Sequence, residues 1–270
     1  MRLSDHQLGQ YRDRGFLVVE DMFSPDEVEI LRVGFARDCV LPGPHVVMES
    51  GGLQVRSVYA SHLRRPEFAA LARLPRLLQP VRQLLEAEVY VYQFKINSKA
   101  PLGGEQWAWH QDYPAWRLAD NLPAPHLVSV ALLLDAVTEF NGPMIYVPGS
   151  HRDDMIRQRR ESKNTSNHHI DPGDIALTRD QLASVVDRWG MVGPKGPAGT
   201  VTFFHPEVAH GSALNMSPYP RAVLIITYND VTNSPSPTGS LRPEYLVGRD
   251  LTPLEPRDVS LLGLTQGAST

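Results

Sequence analysis

The hydrophobic period changes once along this chain, at Val89, and that change constrains the fold class more than any other feature. Before it, apolar residues recur at helical spacing. Val28, Leu31 and Phe35 share one face of a segment opened by Ser24-Pro25-Asp26-Glu27, and Leu77, Val81, Leu84 and Leu85 share one face of another. After it, the segments read as strands. Val89 to Asn97 alternates, Leu127 to Leu134 is apolar on both faces and reads as central, and Val201 to Phe204 and Ala222 to Tyr228 complete a strand-rich half. Helices first and strands afterwards predict a mainly β fold with flanking α-helices, an antiparallel double-sheet barrel braced by the N-terminal helices.

Start and stop signals place the smaller pieces. A helix capped by Ser4 starts near Asp5 and stops at Gly15, and Phe16 to Val19 follows as a buried strand. Ser24 with Glu27 forms a capping box, and Leu41-Pro42-Gly43-Pro44 ends that helix. Gln54 to Tyr59 reads as a strand, and Glu67 to Leu74 and Leu77 to Glu86 as helices. Thr178-x-x-Gln181 opens a helix through Trp189 that Gly190 stops. At 270 residues the chain suits one undivided domain, 1–270. A net charge of -4 offers no general attraction for nucleic acid or an anionic membrane, so neither is expected as a partner. No apolar run reaches bilayer length and Met1-Arg2-Leu3-Ser4-Asp5 lacks a signal peptide's apolar core, which predicts a cytoplasmic protein. The single cysteine, Cys39, excludes an internal disulfide framework and reads as a buried thiol rather than a nucleophile.

The chemistry concentrates in Trp107-Ala108-Trp109-His110-Gln111-Asp112-Tyr113-Pro114-Ala115-Trp116. Read as an extended strand, this stretch puts His110 and Asp112 on one face, an imidazole beside a carboxylate. His210, after the apolar run Val201-Thr202-Phe203-Phe204, is the best third ligand. Two histidines and one carboxylate on one side of a metal leave positions open for oxygen and a co-substrate, the pattern of non-haem Fe(II) oxygenases. In Val89 to Asn97, Tyr90, Tyr92, Phe94 and Ile96 fall on one side and Gln93, Lys95 and Asn97 on the other, which either lines a polar cavity or faces water. Ser129 interrupts the central apolar strand with a small donor. The other histidines have plainer readings: His6, His45, His62 and His126 lack a partner at ligand spacing, and His151 ends a Pro-Gly-Ser-His turn.

Taken in order, Gln93-Phe94-Lys95-Ile96-Asn97, Trp109-His110-x-Asp112-Tyr113-x-x-Trp116, Phe140-Asn141-Gly142-Pro143, Pro148-Gly149-Ser150-His151, Gly196-Pro197-Ala198-Gly199 and His210-Gly211-Ser212 through Pro220-Arg221 resemble the phytanoyl-CoA dioxygenase superfamily. The set is similar to the branch containing ectoine hydroxylase. Ala60-Ser61-His62, Phe204-His205-Pro206-Glu207 and Arg242-Pro243-Glu244-Tyr245 add a likeness to the leucine 5-hydroxylases of griselimycin-type peptide pathways. The resemblance implies a double-stranded β-helix of jelly-roll or cupin-like type, with His110, Asp112 and His210 as the catalytic iron ligands. It implies 2-oxoglutarate as co-substrate and O2 as oxidant. Arg221 then holds the far carboxylate of 2-oxoglutarate, a task suited to a guanidinium that can grip it with two parallel hydrogen bonds. Gln93, Asn97 and Ser129 match positions lining that co-substrate's pocket, and Tyr59 an aromatic near it.

For the substrate, the shared motifs favour a free aliphatic L-amino acid such as leucine, a building block for natural products, with lysine, another amino acid or ectoine as the alternatives. A small zwitterion needs a cation for its carboxylate and an apolar wall for its side chain, and Arg56, Arg242 and Trp116 are the residues expected to supply them. Arg152 to Asp174 is a long polar connection expected to act as a lid hinged at Pro172 and Gly173, with Ile170 folding inward onto the substrate. A non-catalytic binding protein on the same fold would have lost its carboxylate, but Asp112 is present. A zinc hydrolase with the same ligands would leave Arg221 and the Gln93/Asn97 face without a purpose.

Overall fold

Capping boxes set three of the helices where the sequence places them. The structure, a computed structural model, describes every residue except 154–174, 237, 238, 240 and 268–270. Helix α1 (Asp5–Arg14) is closed by the Ser4/Gln7 capping box and by Gly15 at φ 78°. Strand β1 (Phe16–Val19) leads to α2 (Pro25–Cys39), which starts at the Ser24/Glu27 box with proline in its first turn. Then come β2 (Val46–Met48), β3 (Val55–Tyr59), α3 (Pro66–Leu71) and α4 (Pro75–Leu85). The strand-rich half holds β4 (Val89–Lys99), β5 (Trp107–His110), α5 (Asp112–Asp120), β6 (Leu127–Leu133) and β7 (Ile145–Tyr146). It continues through α6 (Arg179–Trp189), capped by Thr178 and Gln181, to β8 (Val201–Phe204), β9 (His210–Ser212) and β10 (Arg221–Asp230).

The strands form an antiparallel seven-stranded sheet in the order β1-β8-β6-β10-β4-β3-β2 and a three-stranded sheet in the order β5-β9-β7. One face of the large sheet, with Phe94, Ile96, Val130, Leu132, Phe203 and Leu224, packs against the helices through Leu31, Phe68, Leu78 and Val81. Its other face carries Ala131, Phe204, Val223 and Ile225 and meets the small sheet through Tyr146. This is the expected double-stranded β-helix, and it places the site between the sheets.

Two local expectations need correcting. The first concerns β4, where alternation was expected to put Tyr90, Tyr92, Phe94 and Ile96 on one side. The register against β10 pairs Gln93 with Thr227 but Val91 with Tyr228, so Tyr92 is an extra, bulged residue. A bulge shifts parity by one, and side chains before it change face relative to those after it. Val89, Val91, Phe94 and Ile96 therefore join the helix-side core, while Tyr90 and Tyr92 join a cluster with Trp116 and Leu246 on the site side. The second concerns Trp107 to Trp116, which is not one strand: β5 ends at His110, and Asp112 is the first residue of α5. Ile170, the hinge residues and the rest of the expected lid up to Asp174 lie outside the described residues from position 154 on.

Candidate metal centre

His110 and His210 are directly opposite each other in the β5–β9 pairing, so the strand register itself brings two imidazoles together, with ring centroids 4.3 Å apart. Gly211 permits the close approach, since a Cβ there would meet the Trp107 carbonyl at 3.0 Å. Asp112 arrives from the next element. The backbone N–H of Tyr113 donates to the Pro206 carbonyl at 3.0 Å and the Gln111 side chain donates to the Glu207 carbonyl, so both neighbours of Asp112 are tied to the segment leading into His210. His110 Nε2 then lies 3.6 Å from Asp112 Oδ1 and His210 Nε2 3.9 Å from Oδ2. One ligand atom from each of the three buried residues falls within 4.8 Å of the others, and among the described residues this is the one such group.

The donor chemistry fits a divalent iron. Nδ1 of His110 faces the Ala108 carbonyl at 2.6 Å and Nδ1 of His210 faces the Val208 carbonyl at 3.0 Å. A nitrogen facing a carbonyl must carry the proton, which leaves each Nε2 lone pair turned toward Asp112. Burial, helped by the neighbouring His110 ring, pulls His210 down to about 4, so it is neutral at ordinary pH as a ligand must be. Burial pushes Asp112 up, but Lys95 and the two imidazoles outweigh it and hold the carboxylate well below its usual range. The result is two imidazole nitrogens and one anionic oxygen on one side of a small space, a facial set.

Two chambers meet at this group, sharing Lys95, Trp107, His110 and Asp112. The first is lined further by Asn97, Met144, Phe204, His210, Gly211, Ser212, Arg221 and Ile225. Arg221 is 2% exposed, and burial lowers its guanidinium to about 10, still a cation at neutral pH. Its Nε donates to the Gly142 carbonyl at 3.0 Å and Nη2 donates to the same atom. The Asn141-Gly142 turn presents that acceptor: Gly142 has φ +71°, and a Cβ there would meet the Ala213 carbonyl at 2.6 Å. Asn97 is held by Ser57 Oγ, which donates to its Oδ1 at 2.8 Å. Ser212 Oγ is buried and has no hydrogen-bond partner among the described residues, an orphan donor aimed where a ligand's oxygen would satisfy it.

The second chamber is lined by Tyr59, Gln93, Ala115, Trp116, Ile175, Arg242 and Leu246 beside the shared residues. Gln93 and Tyr59, expected beside 2-oxoglutarate with Arg221, line this chamber and not the one that Arg221 lines. Gln93 Nε2 donates to the Leu246 carbonyl at 3.1 Å. Trp116 and Arg242 also line it. Two expected residues line neither chamber. Ser129 is buried within the sheet with its Oγ 3.0 Å from Thr227 Oγ1, because the hydroxyls of adjacent strands satisfy each other. Arg56 is held by Glu105 at 2.9 Å and stacks 4.1 Å over the Trp107 ring, so it backs a wall of the site rather than facing it. His205 packs against His151 at 5.2 Å, away from the group, and Ser150 Oγ accepts from Ala209 N at 2.8 Å, so the Pro-Gly-Ser-His turn braces the approach to His210. Lys95, Ser212 and Trp107 are site residues that the sequence reading did not single out. Lys95 was within reach, on the same polar face as Gln93 and Asn97.

Residues 11–223 match the phytanoyl-CoA dioxygenase (PhyH) family. The chain is 38% identical over 261 residues to an L-proline trans-4-hydroxylase of Streptomyces griseoviridis, covering 94% of this chain and 96% of that protein. It is 33% identical over 260 residues to an ectoine dioxygenase of Bordetella parapertussis, covering 92% and 83%. The crystal structure of EctD from S. alaskensis with 2-oxoglutarate and 5-hydroxyectoine matches with a TM-score of 0.80 at 31% identity, covering 96% of this chain and 87% of that one. With a fold, a ligand group and a sequence match over most of its length in agreement, this chain belongs to the phytanoyl-CoA dioxygenase family.

Proposed function

We propose that this chain hydroxylates an unactivated C–H bond of a free small amino acid with an aliphatic side chain, using Fe(II), 2-oxoglutarate and O2. The observation that carries this reading is the pair of chambers meeting at one His-Asp-His group, one with Arg221 in its wall and the other with Arg242. His110, Asp112 and His210 would hold the iron, which supplies the chemistry that couples decarboxylation of 2-oxoglutarate to succinate and CO2 with insertion of one oxygen atom into the substrate. Arg221 would hold the far carboxylate of 2-oxoglutarate, with Asn97, Ser212 and Lys95 supplying further donors on that side. The ligand-bound relatives support the cofactor assignment, as does the orphan hydroxyl of Ser212.

On the other side, Arg242 would receive the amino acid's carboxylate, and the Gln93 side-chain carbonyl its ammonium. Trp116, Ala115, Ile175 and Leu246 would form the apolar wall for the side chain. Apart from Asp112 itself, no carboxylate lines this chamber among the described residues, so a lysine ammonium would lack a partner. A leucine- or proline-like side chain is the better fit. Ectoine, another small zwitterion, is the second reading, favoured by the identity to ectoine dioxygenases. The test is a panel of leucine, proline, lysine and ectoine, each assayed with Fe(II), 2-oxoglutarate and O2 for succinate release matched by a product one oxygen heavier. No substrate-stimulated succinate with any of the four would sink the proposal.

A further inference from the structure

Helix α5 begins with the metal-ligating Asp112 and ends with Asp120. Asp112, Trp116 and Asp120 are spaced i, i+4 and i+8, so one stripe of a single helix carries a ligand of the metal, the aromatic wall of the substrate chamber and a second buried carboxylate. Asp120 grips Arg242: Nε donates to Oδ1 at 2.8 Å and Nη2 donates to Oδ2, with both side chains 4% exposed. The Tyr92 hydroxyl donates to the same Oδ2. Tyr92 reaches it because it is the bulged residue of β4, turned to the site side by the parity shift. The chain beyond Arg242 is pinned to the same strand, since Gly248 N donates to the Tyr92 carbonyl at 2.7 Å and Gln93 Nε2 to the Leu246 carbonyl. A Cβ at Gly248 would meet the Val91 carbonyl at 2.1 Å, so that contact has no slack.

A guanidinium on a loop would ordinarily sample many rotamers, and a substrate carboxylate held by it would wander accordingly. Here the Nε and Nη2 edge is fixed by a bidentate carboxylate, and only the remaining donors are left for the chamber. The anchor and the metal ligand are also joined by eight successive rises of one helix, a rigid spacer of about 12 Å. Resting on the reading of Arg242 as the substrate-carboxylate site, we propose that Asp120, oriented by Tyr92, is a positioning residue that fixes Arg242 relative to the metal group and so determines which carbon of the amino acid is hydroxylated. Asp120 acts through Arg242. Substrate selection then favours molecules whose carboxylate and reacting carbon match one fixed separation.

The experiment uses the full-length protein and the variants Asp120→Asn and Tyr92→Phe. Amino-acid binding is measured by calorimetry on the Fe(II)- and 2-oxoglutarate-loaded protein under argon, and product isomers are resolved after turnover in air. Asp120→Asn should weaken amino-acid binding by about tenfold or more, the worth of a charge-assisted contact. It should leave the KM for 2-oxoglutarate unchanged and turn one hydroxylated product into a mixture of regioisomers. Tyr92→Phe, which keeps the ring packing, should give a milder form of the same product mixture and keeps the test open if Asp120→Asn does not fold. A merely structural role would lower activity without changing where the oxygen goes. Variants that bind with wild-type affinity and give the wild-type product alone overturn the proposal. Failure of the wild type itself to bind or oxidise any amino acid in the panel overturns the functional reading, and this inference with it.

Discussion

Arg221 and Arg242 line separate chambers that meet at the same His-Asp-His group. Each is almost fully buried, at 2% and 6% exposure, yet each is anchored differently: Arg221 by the Gly142 carbonyl, Arg242 by the Asp120 carboxylate. If the two chambers divide the two substrates, the two arginines should be separable by kinetics. Arg221→Ala is expected to raise the KM for 2-oxoglutarate by about 10- to 100-fold with little effect on that for the amino acid. Arg242→Gln should do the reverse. Both constants moving together in both variants would mean that the chambers do not divide the substrates.

The metal group supports a second test that does not depend on turnover. His110→Ala and Asp112→Ala each remove one ligand from a group of three, and neither takes a large apolar side chain out of the core. Iron retained after desalting should fall to background in both, while the far-ultraviolet circular dichroism stays that of the wild type. Asp112 is also the first residue of α5, so its loss should cost about 0.3–1 kcal/mol of stability through the helix dipole. Iron content equal to wild type in either variant would remove that residue from the site.

The cap at Ser4 and the capping boxes at Ser24 and Thr178 are local devices, legible because the partner lies within three residues. The polar face of β4 was legible through Gln93, Lys95 and Asn97, which lie after the bulge and obey simple alternation. Tyr90 and Tyr92 were misplaced because a bulge is set by pairing with β10, over a hundred residues away, and leaves no mark in the local pattern. The approach of Asp112 to His110 was anticipated, but from a continued strand; the actual geometry comes from a strand end followed by a helix start, pinned through Pro206 and Glu207. Asp120 lay in plain view two turns past Asp112. Nothing local announces its partner, since Arg242 comes 122 residues later.

Cys39 provides a check on the electrostatics away from the site. Cys39 is only partly buried, short of the buried thiol expected, yet that burial, aided by the adjacent Asp38 charge, raises its thiol to about 11. At pH 8 its thiolate fraction should be about a hundredfold below that of a thiol at the usual value, so iodoacetamide should label it slowly, with a rate that climbs about tenfold per pH unit and levels off only near pH 11. Between about 9 and 11 the unfolded chain has lost a proton that the folded chain keeps, so this group makes the fold less stable as pH rises through that window. A labelling rate that levels off by pH 9 would contradict the burial.

Trp116 tests the chamber wall. It is 4% exposed, and its ring meets Tyr92 edge-on with centroids 5.1 Å apart. It therefore serves both the cluster that holds α5 against β4 and the surface that the substrate side chain would touch. Trp116→Ala should destabilise the protein by about 3–5 kcal/mol, the usual cost of emptying a large aromatic site. The same vacancy should relax selection by size. A branched or cyclic side chain that fills the wild-type chamber would lose contact area and turn over less efficiently, while a bulkier side chain such as that of phenylalanine would gain room. The ratio of kcat/KM for leucine to that for phenylalanine should fall by about 10-fold or more, since losing even a methylene's worth of contact is worth 1–3 kcal/mol. A ratio unchanged in a variant that remains folded by circular dichroism would mean that Trp116 only packs the core, and would leave Ala115, Ile175 and Leu246 as the wall that the substrate meets.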